Sequence, residues 1–257
     1  AAESYMDNEW STPDLIDVFR VLLQNQSTLS TMRSGRFSIL GALRKLEHFR
    51  NRNSKSGSKK NIHEHYDLGN DFFSLFLDES MMYSSAIFPS ADSELVDASW
   101  EKVDRVCRTL QLSPDDHVLE IGTGWGGFAY HAARNYGCRV TTTTISNEQF
   151  NFAQQRINAA GLGDRVTVLK QDYRELEGQY DKLVSLEMIE AVGRQFLPGY
   201  FEVCEKLVKP NGAMMLQAIV MPEQTFDRYA TSVDFIQKHI FPGGFLPSIT
   251  EMQDCIK

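Results

Sequence analysis

The sequence predicts an α/β fold, a parallel sheet with helices on both faces, preceded by a small helical N-terminal segment. Three observations predict it. Beyond Asn61 short β-rich runs alternate with helical ones, the pattern of strands joined by crossover helices. One of these runs, 118–121, passes straight into a glycine-rich turn and a helix. A polar, glycine- and serine-containing stretch without periodicity, 51–60, reads as a basic linker between this region and the helical start. The expected organisation is therefore 1–50, 51–60 and 61–257.

The elements follow in order. Thr12-Pro13-Asp14 signals a helix start, with Thr12 as cap and Pro13 at the first helical position. Leu15, Val18, Phe19, Leu22 and Leu23 then form one apolar face. A second helix is expected over 37–49, with Ile39, Leu40, Leu43, Leu46 and Phe49 inward. Further helices are expected over 70–77, 94–110, 128–136, 147–160 and 195–208, and strands over 117–121, 139–144, 166–170, 182–186 and 213–220. Lys209-Pro210-Asn211-Gly212 reads as a turn that stops the last of these helices.

Composition narrows the function classes. The chain has 257 residues, a formal net charge of −8 and no apolar run near the length that spans a bilayer, roughly 18–20 residues. Its start lacks the basic and apolar regions of a signal peptide. Cys107, Cys138, Cys204 and Cys255 are scattered, without metal-ligand spacing, so no structural metal is expected and a cytoplasmic setting fits. Between Arg33 and Lys60 nine basic residues face one acid, Glu47, a block suited to an anionic surface such as phospholipid headgroups. The acidic remainder offers no broad basic face for nucleic acid.

Candidate ligand-binding residues cluster after the strands. In Glu120-Ile121-Gly122-Thr123-Gly124-Trp125-Gly126 the glycines let the backbone turn tightly and approach a ligand. Ser146 and Gln149 form a capping box after the second strand. Ligands in such sheets bind beyond the carboxyl ends of the strands, so Thr144, Ile145 and Gln149 should line the crevice. Asp172 and Tyr173, after the third strand, are placed to bond and flank an adenine.

The GxGxG turn with Glu120 two residues before it resembles motif I of Rossmann-like class I methyltransferases, which lies under the methionine part of S-adenosylmethionine. More specifically, 63–73 (His-Glu-His-Tyr-Asp-Leu-Gly-Asn-Asp-Phe-Phe), Met82-Tyr83-Ser84-Ser85-Ala86, 119–126, 185–193 and 240–248 resemble, in order, the cyclopropane-fatty-acyl-phospholipid synthase family. Glu3-Ser4-Tyr5-Met6-Asp7 is similar to the end of that family's N-terminal lipid-binding domain.

The resemblance implies methyl transfer from S-adenosylmethionine to a cis double bond of a phospholipid acyl chain at a membrane surface. It also implies proton removal from the new methyl group by a bound bicarbonate. Glu190 matches the family's bicarbonate-holding glutamate, and Tyr83, beside Ser84, matches the tyrosine over the cofactor. The family's cysteine is replaced by Ser85 and its histidine by Gln217, while Ile219 is retained. Glutamine cannot carry the positive charge of a protonated histidine. These departures leave the product open between a cyclopropane and, where the cation is resolved by hydride shift and proton loss, a methylene or methyl-branched chain. By the same resemblance the C-terminal strands of a seven-stranded sheet are expected to be missing, and a homodimer is a further expectation. An amine N-methyltransferase and a non-catalytic lipid- or cofactor-binding protein are the competing readings.

Overall fold

The computed structural model describes residues 2–28, 53–54, 57–58 and 69–256. The expected helix over 37–49, most of the basic block and the motif residues 63–68 lie outside the described residues.

Five parallel strands form one sheet: β1 His117–Ile121, β2 Arg139–Thr144, β3 Val166–Lys170, β4 Tyr180–Leu186 and β5 Val208–Gln217. Their order is β3-β2-β1-β4-β5, so the connections leave β1 in opposite directions and open a crevice beyond β1 and β4. The helices are α1 Ala2–Met6, α2 Leu15–Gln24, α3 Gly69–Ser74, α4 Leu95–Thr109, α5 Gly127–His131, α6 Asn147–Ala159, α7 Leu197–Leu207, α8 Glu223–Ala230 and α9 Ile249–Ile256. No described helix is long and apolar enough to cross a membrane.

The sheet is covered on both faces because strand side chains alternate. Val118 packs in one layer with Val103, Phe128 and Ile157. Leu119 and Ile121 enter the other, with Leu197, Tyr200 and Phe245. Alternation therefore puts Glu120 on the α4 side, which matters for the site. Cys107, Cys138 and Cys204 are buried free thiols, and Cys255 is half-buried.

Several boundaries differ from the sequence reading, each for a local reason. Asp14, not Thr12, caps α2: its carboxylate accepts from the Ile16 and Asp17 amides at 2.8 and 3.2 Å. A carboxylate answers the positive helix end better than a hydroxyl, and Thr12 instead donates to the Asp14 carbonyl. Of the apolar face of α2, Leu15 and Val18 are half-buried while Phe19, Leu22 and Leu23 are exposed rather than packed. Ser146 caps α6 as expected, but Gln149 does not close the box; its side chain accepts from Thr144 Oγ1 at 2.8 Å. Strand β5 starts early because Val208 pairs with Tyr180 and Ala213 with Lys182, so that 209–212 form an irregular, bulged stretch of the strand rather than the expected turn.

The described part of the expected free linker is docked. Asn53 and Ser58 are buried, Asn53 Nδ2 donates to the Gly243 carbonyl at 2.8 Å, and Arg174 donates to the Asn53 carbonyl and Ser58 Oγ. A short polar segment gains partners here that its composition does not announce.

Candidate active site

The glycine turn closes one side of the crevice. Gly122, Gly124 and Gly126 all take positive φ. Side chains crowd two of them: a Cβ at Gly122 would meet Met188, and one at Gly126 would meet Ala153, both at 3.0 Å. A Cβ at Gly124 would meet nothing within 4 Å, so this residue borders open space. The Gly122 and Thr123 amides are fixed by the Thr143 carbonyl at 3.0 Å.

Beneath the turn lies a buried polar network. The Thr142 hydroxyl donates to Glu120 Oε2 at 2.6 Å and sits 2.7 Å from Thr123 Oγ1. Burial pushes the Glu120 carboxyl up to about 8, opposed by the Thr142 bond and the Lys102 charge. Lys102, only 1% exposed, donates from Nζ to Ser84 Oγ at 2.5 Å. Its burial brings the ammonium down to about 8, against the charges of Glu187, Glu120 and Asp78. Glu120 thus supports the turn from behind, and Lys102 supports the 83–85 loop.

Above the turn three chain segments meet on one carboxylate. Glu187, just past β4, accepts at Oε1 from the Ser85 amide (2.9 Å), the Ser85 hydroxyl (2.9 Å) and Gln217 Nε2 (2.7 Å). Gln217 Nε2 also lies 3.1 Å from Ser85 Oγ. The Glu187 amide donates to the Gln217 carbonyl at 2.8 Å, at φ 51°, a conformation that costs a non-glycine residue roughly 1–2 kcal/mol. Glu190 accepts from the Ile219 amide at 2.6 Å through Oε1, while Oε2 is buried without a partner among the described residues. The structure therefore brings Ser85 and Gln217 together, and the Glu190 carboxylate onto the Ile219 amide.

An aromatic wall flanks this cluster. Tyr83 lies edge-on to Phe73 and Phe76, with ring centroids 5.4 and 6.1 Å away, and 6.4 Å from Phe241. Burial and the Glu187 charge raise its phenol. Trp125 Nε1 donates to Asn70 Oδ1 at 2.7 Å, joining α3 to the glycine turn.

On the β2–β3 side, Thr144 and Gln149 are buried and bonded to each other, with Ile145 half-buried beside them. Arg174 grips the Asp172 carboxylate at 2.8 and 2.6 Å. Tyr173 lies edge-on to Tyr200 at 5.5 Å, beneath the Arg174 guanidinium.

Sequence reasoning missed Glu187 and Lys102. Both carried a signal. Glu187 follows a strand that ends at the crevice, and Lys102 interrupts the stripe Ala98, Val103, Val106 that faces the sheet.

A parallel sheet in this order, with a glycine turn after β1 and polar groups converging beyond β4 and β5, defines the Rossmann-like class I methyltransferase fold. The chain belongs to the mycolic acid cyclopropane synthetase family, whose profile matches residues 53–257. It is 43% identical over 98% of its length to the tuberculostearic acid methyltransferase UfaA1 of Mycobacterium tuberculosis strain H37Rv, covering 60% of that protein. It is 40% identical over 97% of its length to the cyclopropane-fatty-acyl-phospholipid synthase of Escherichia coli K12, covering 62% of it. The crystal structure of mycolic acid cyclopropane synthase CmaA1 complexed with SAH and CTAB superposes with a TM-score of 0.71 at 32% identity, covering 77% of this chain and 72% of that one. The chain thus spans about three fifths of the curated relatives' length.

The residues present suit S-adenosylmethionine and not bicarbonate. Gly124 leaves room for a ligand where a Cβ would stand. A bicarbonate needs donors, but the Ser85 amide, Ser85 hydroxyl and Gln217 amide all point to Glu187 Oε1. The unpartnered Glu190 oxygen is buried beside it, and Lys102 is turned to Ser84. An anion placed there would face the Glu187 carboxylate rather than a cation.

Proposed function

We propose that the chain carries the methyl-transfer site of an enzyme that adds a methyl carbon to the double bond of an unsaturated phospholipid acyl chain. The observation that carries this reading is the meeting of the 83–85 loop, the end of β4 and the end of β5 on Glu187, above the open Gly124 turn. Similarity to UfaA1 and to the E. coli phospholipid synthase supports the acyl substrate.

In this reading Gly122, Gly124 and Gly126 cradle the methionine part of S-adenosylmethionine, with Glu120 holding the turn. Thr144, Ile145 and Gln149 line the rest of its crevice, beside Asp172 and Tyr173. Tyr83 and Ser84 cover it. When bound, S-adenosylmethionine supplies an electrophilic methyl carbon. The aromatic wall of Phe73, Phe76, Tyr83 and Phe241 presents ring faces that suit a cationic centre on the acyl chain. Glu187 and Glu190 add negative charge where that cation develops. Hydride shift and loss of a methyl proton then yield a methylene-bearing chain. Residues 1–50 act as a lipid-binding region, 51–60 as its basic connection and 61–257 as the methyltransferase domain, working at the cytoplasmic side of a membrane.

The test incubates the full-length protein with methyl-labelled S-adenosylmethionine and vesicles of a monounsaturated phospholipid, then analyses the acyl chains by mass spectrometry. Labelled chains that keep one unsaturation and carry an extra methylene carbon are expected. Absence of label would defeat the acyl substrate; a cyclopropane as sole product would defeat the methylene outcome.

A further inference from the structure

Glu187 organises the site. Its Oε1 takes three donors from two other segments, and its backbone sits in the left-handed region to do so. These donors, one amide, one hydroxyl and one side-chain amide, are the kind that hold a small oxyanion. Here a carboxylate of the chain itself already occupies them. Close by, Glu190 buries a second carboxylate oxygen with no hydrogen-bond partner among the described residues.

We propose that Glu187 is a built-in anion: its carboxylate takes the position and the work of an exogenous oxyanion, making the site independent of bicarbonate. This rests on the acyl methyl-transfer reading for its chemistry. The alkene electron pair forms the bond to the methyl carbon as the sulfonium–methyl bond breaks, leaving a thioether and a cation on the adjacent acyl carbon. A hydride from the newly methylated carbon moves to that cation. A methyl C–H bond then supplies the electron pair of the new double bond, and its proton passes to the Glu187 carboxylate and on to solvent. The negative charge needed to stabilise the cation and receive the proton is covalently anchored, with no ion to recruit and no loss of its translational freedom.

The geometry also supplies a fair test, because Glu187→Gly suits the left-handed backbone and uncovers all three donors. Full-length wild type, Glu187→Gly and Glu187→Gln are assayed in buffers purged of carbon dioxide, with and without added bicarbonate or formate. Wild type should be unaffected by either ion. Both variants should fall by about 100-fold, the usual scale for a lost acid–base group, and Glu187→Gly should recover at least about tenfold with added anion. A second readout needs no acyl substrate: carbon-13 NMR should show labelled bicarbonate binding to Glu187→Gly and not to wild type. Bicarbonate binding by wild type, or its loss of activity on purging, would overturn the proposal. So would a Glu187→Gly protein that is fully active when purged, or one that neither binds nor responds to the anion. Since the binding arm is independent of lipid, failure of the acyl reading would leave it standing on its own result.

Discussion

Glu190 divides its carboxylate between a bonded oxygen and a stranded one, and that division should be measurable as stability. Burial raises its carboxyl from 4.5 to about 7, with the neighbouring Glu187 charge adding to the shift and the Ile219 amide opposing it. The folded state therefore keeps a proton that the unfolded chain releases between about pH 4.5 and 7. The group's contribution to stability is complete below this window and is lost as pH rises through it. Glu190→Gln removes the titration while keeping an acceptor for Ile219. Its melting temperature relative to wild type should climb from pH 5 to 7 and level off near pH 8. A difference that is flat with pH would show that the carboxyl is not buried as described. At this scale the sequence was partly legible: motif order pointed to Glu190, Ser85 and Gln217. Glu187 and Lys102 escaped because an isolated charge in a run of residues is normally a solvated one, and only packing shows which charge is turned inward.

Elements were read best where one local signal decided them. Strands β1, β2 and β3 came out with the expected bounds because each is a short β-branched or apolar run between turn residues. Strands β4 and β5 did not, because the Tyr180–Val208 pair forms across the bulged stretch 209–212, a long-range pairing no local run predicts. The docking of residues 53–54 and 57–58 is of the same kind. It depends on Arg174, whose side chain is 18% exposed and grips Asp172, 3% exposed, while donating to Asn53 and Ser58. Arg174→Ala would leave a buried carboxylate without its guanidinium and free that segment. The expected loss is about 3 kcal/mol, the low end for breaking a buried pair. For a chain this size that lowers the melting temperature by about 6–12 °C in calorimetry. A loss below about 1 kcal/mol would mark the pair as solvent-screened and the docking as incidental.

At the scale of the whole molecule, alternation of strands and helices fixed the sheet as parallel, and the sheet order then fixed where the site must be. The crevice at the β1/β4 switch point follows from that order, so the glycine turn could be placed from sequence alone. What no local pattern revealed is how the 83–85 loop and the end of β5 come together over it. Charge is distributed on the same large scale. Nine basic residues between 33 and 60 stand against one acid in a chain of net charge −8, so an anionic bilayer would attract one segment and repel the remainder. Each basic residue near such a surface contributes about 1 kcal/mol. Replacing Lys55, Lys59 and Lys60 by glutamine should therefore weaken binding to anionic vesicles by about 3 kcal/mol, or about two orders of magnitude. Because the attraction is screened within about 10 Å at 0.1 M salt, wild-type binding should itself fall steeply as salt is raised, and the variant should respond less. Sedimentation with vesicles of graded anionic content measures both effects. If the variant binds as well as wild type at every salt concentration, the membrane contact is made by apolar side chains instead, and the exposed Ile16, Phe19 and Leu23 of α2 become the residues to substitute.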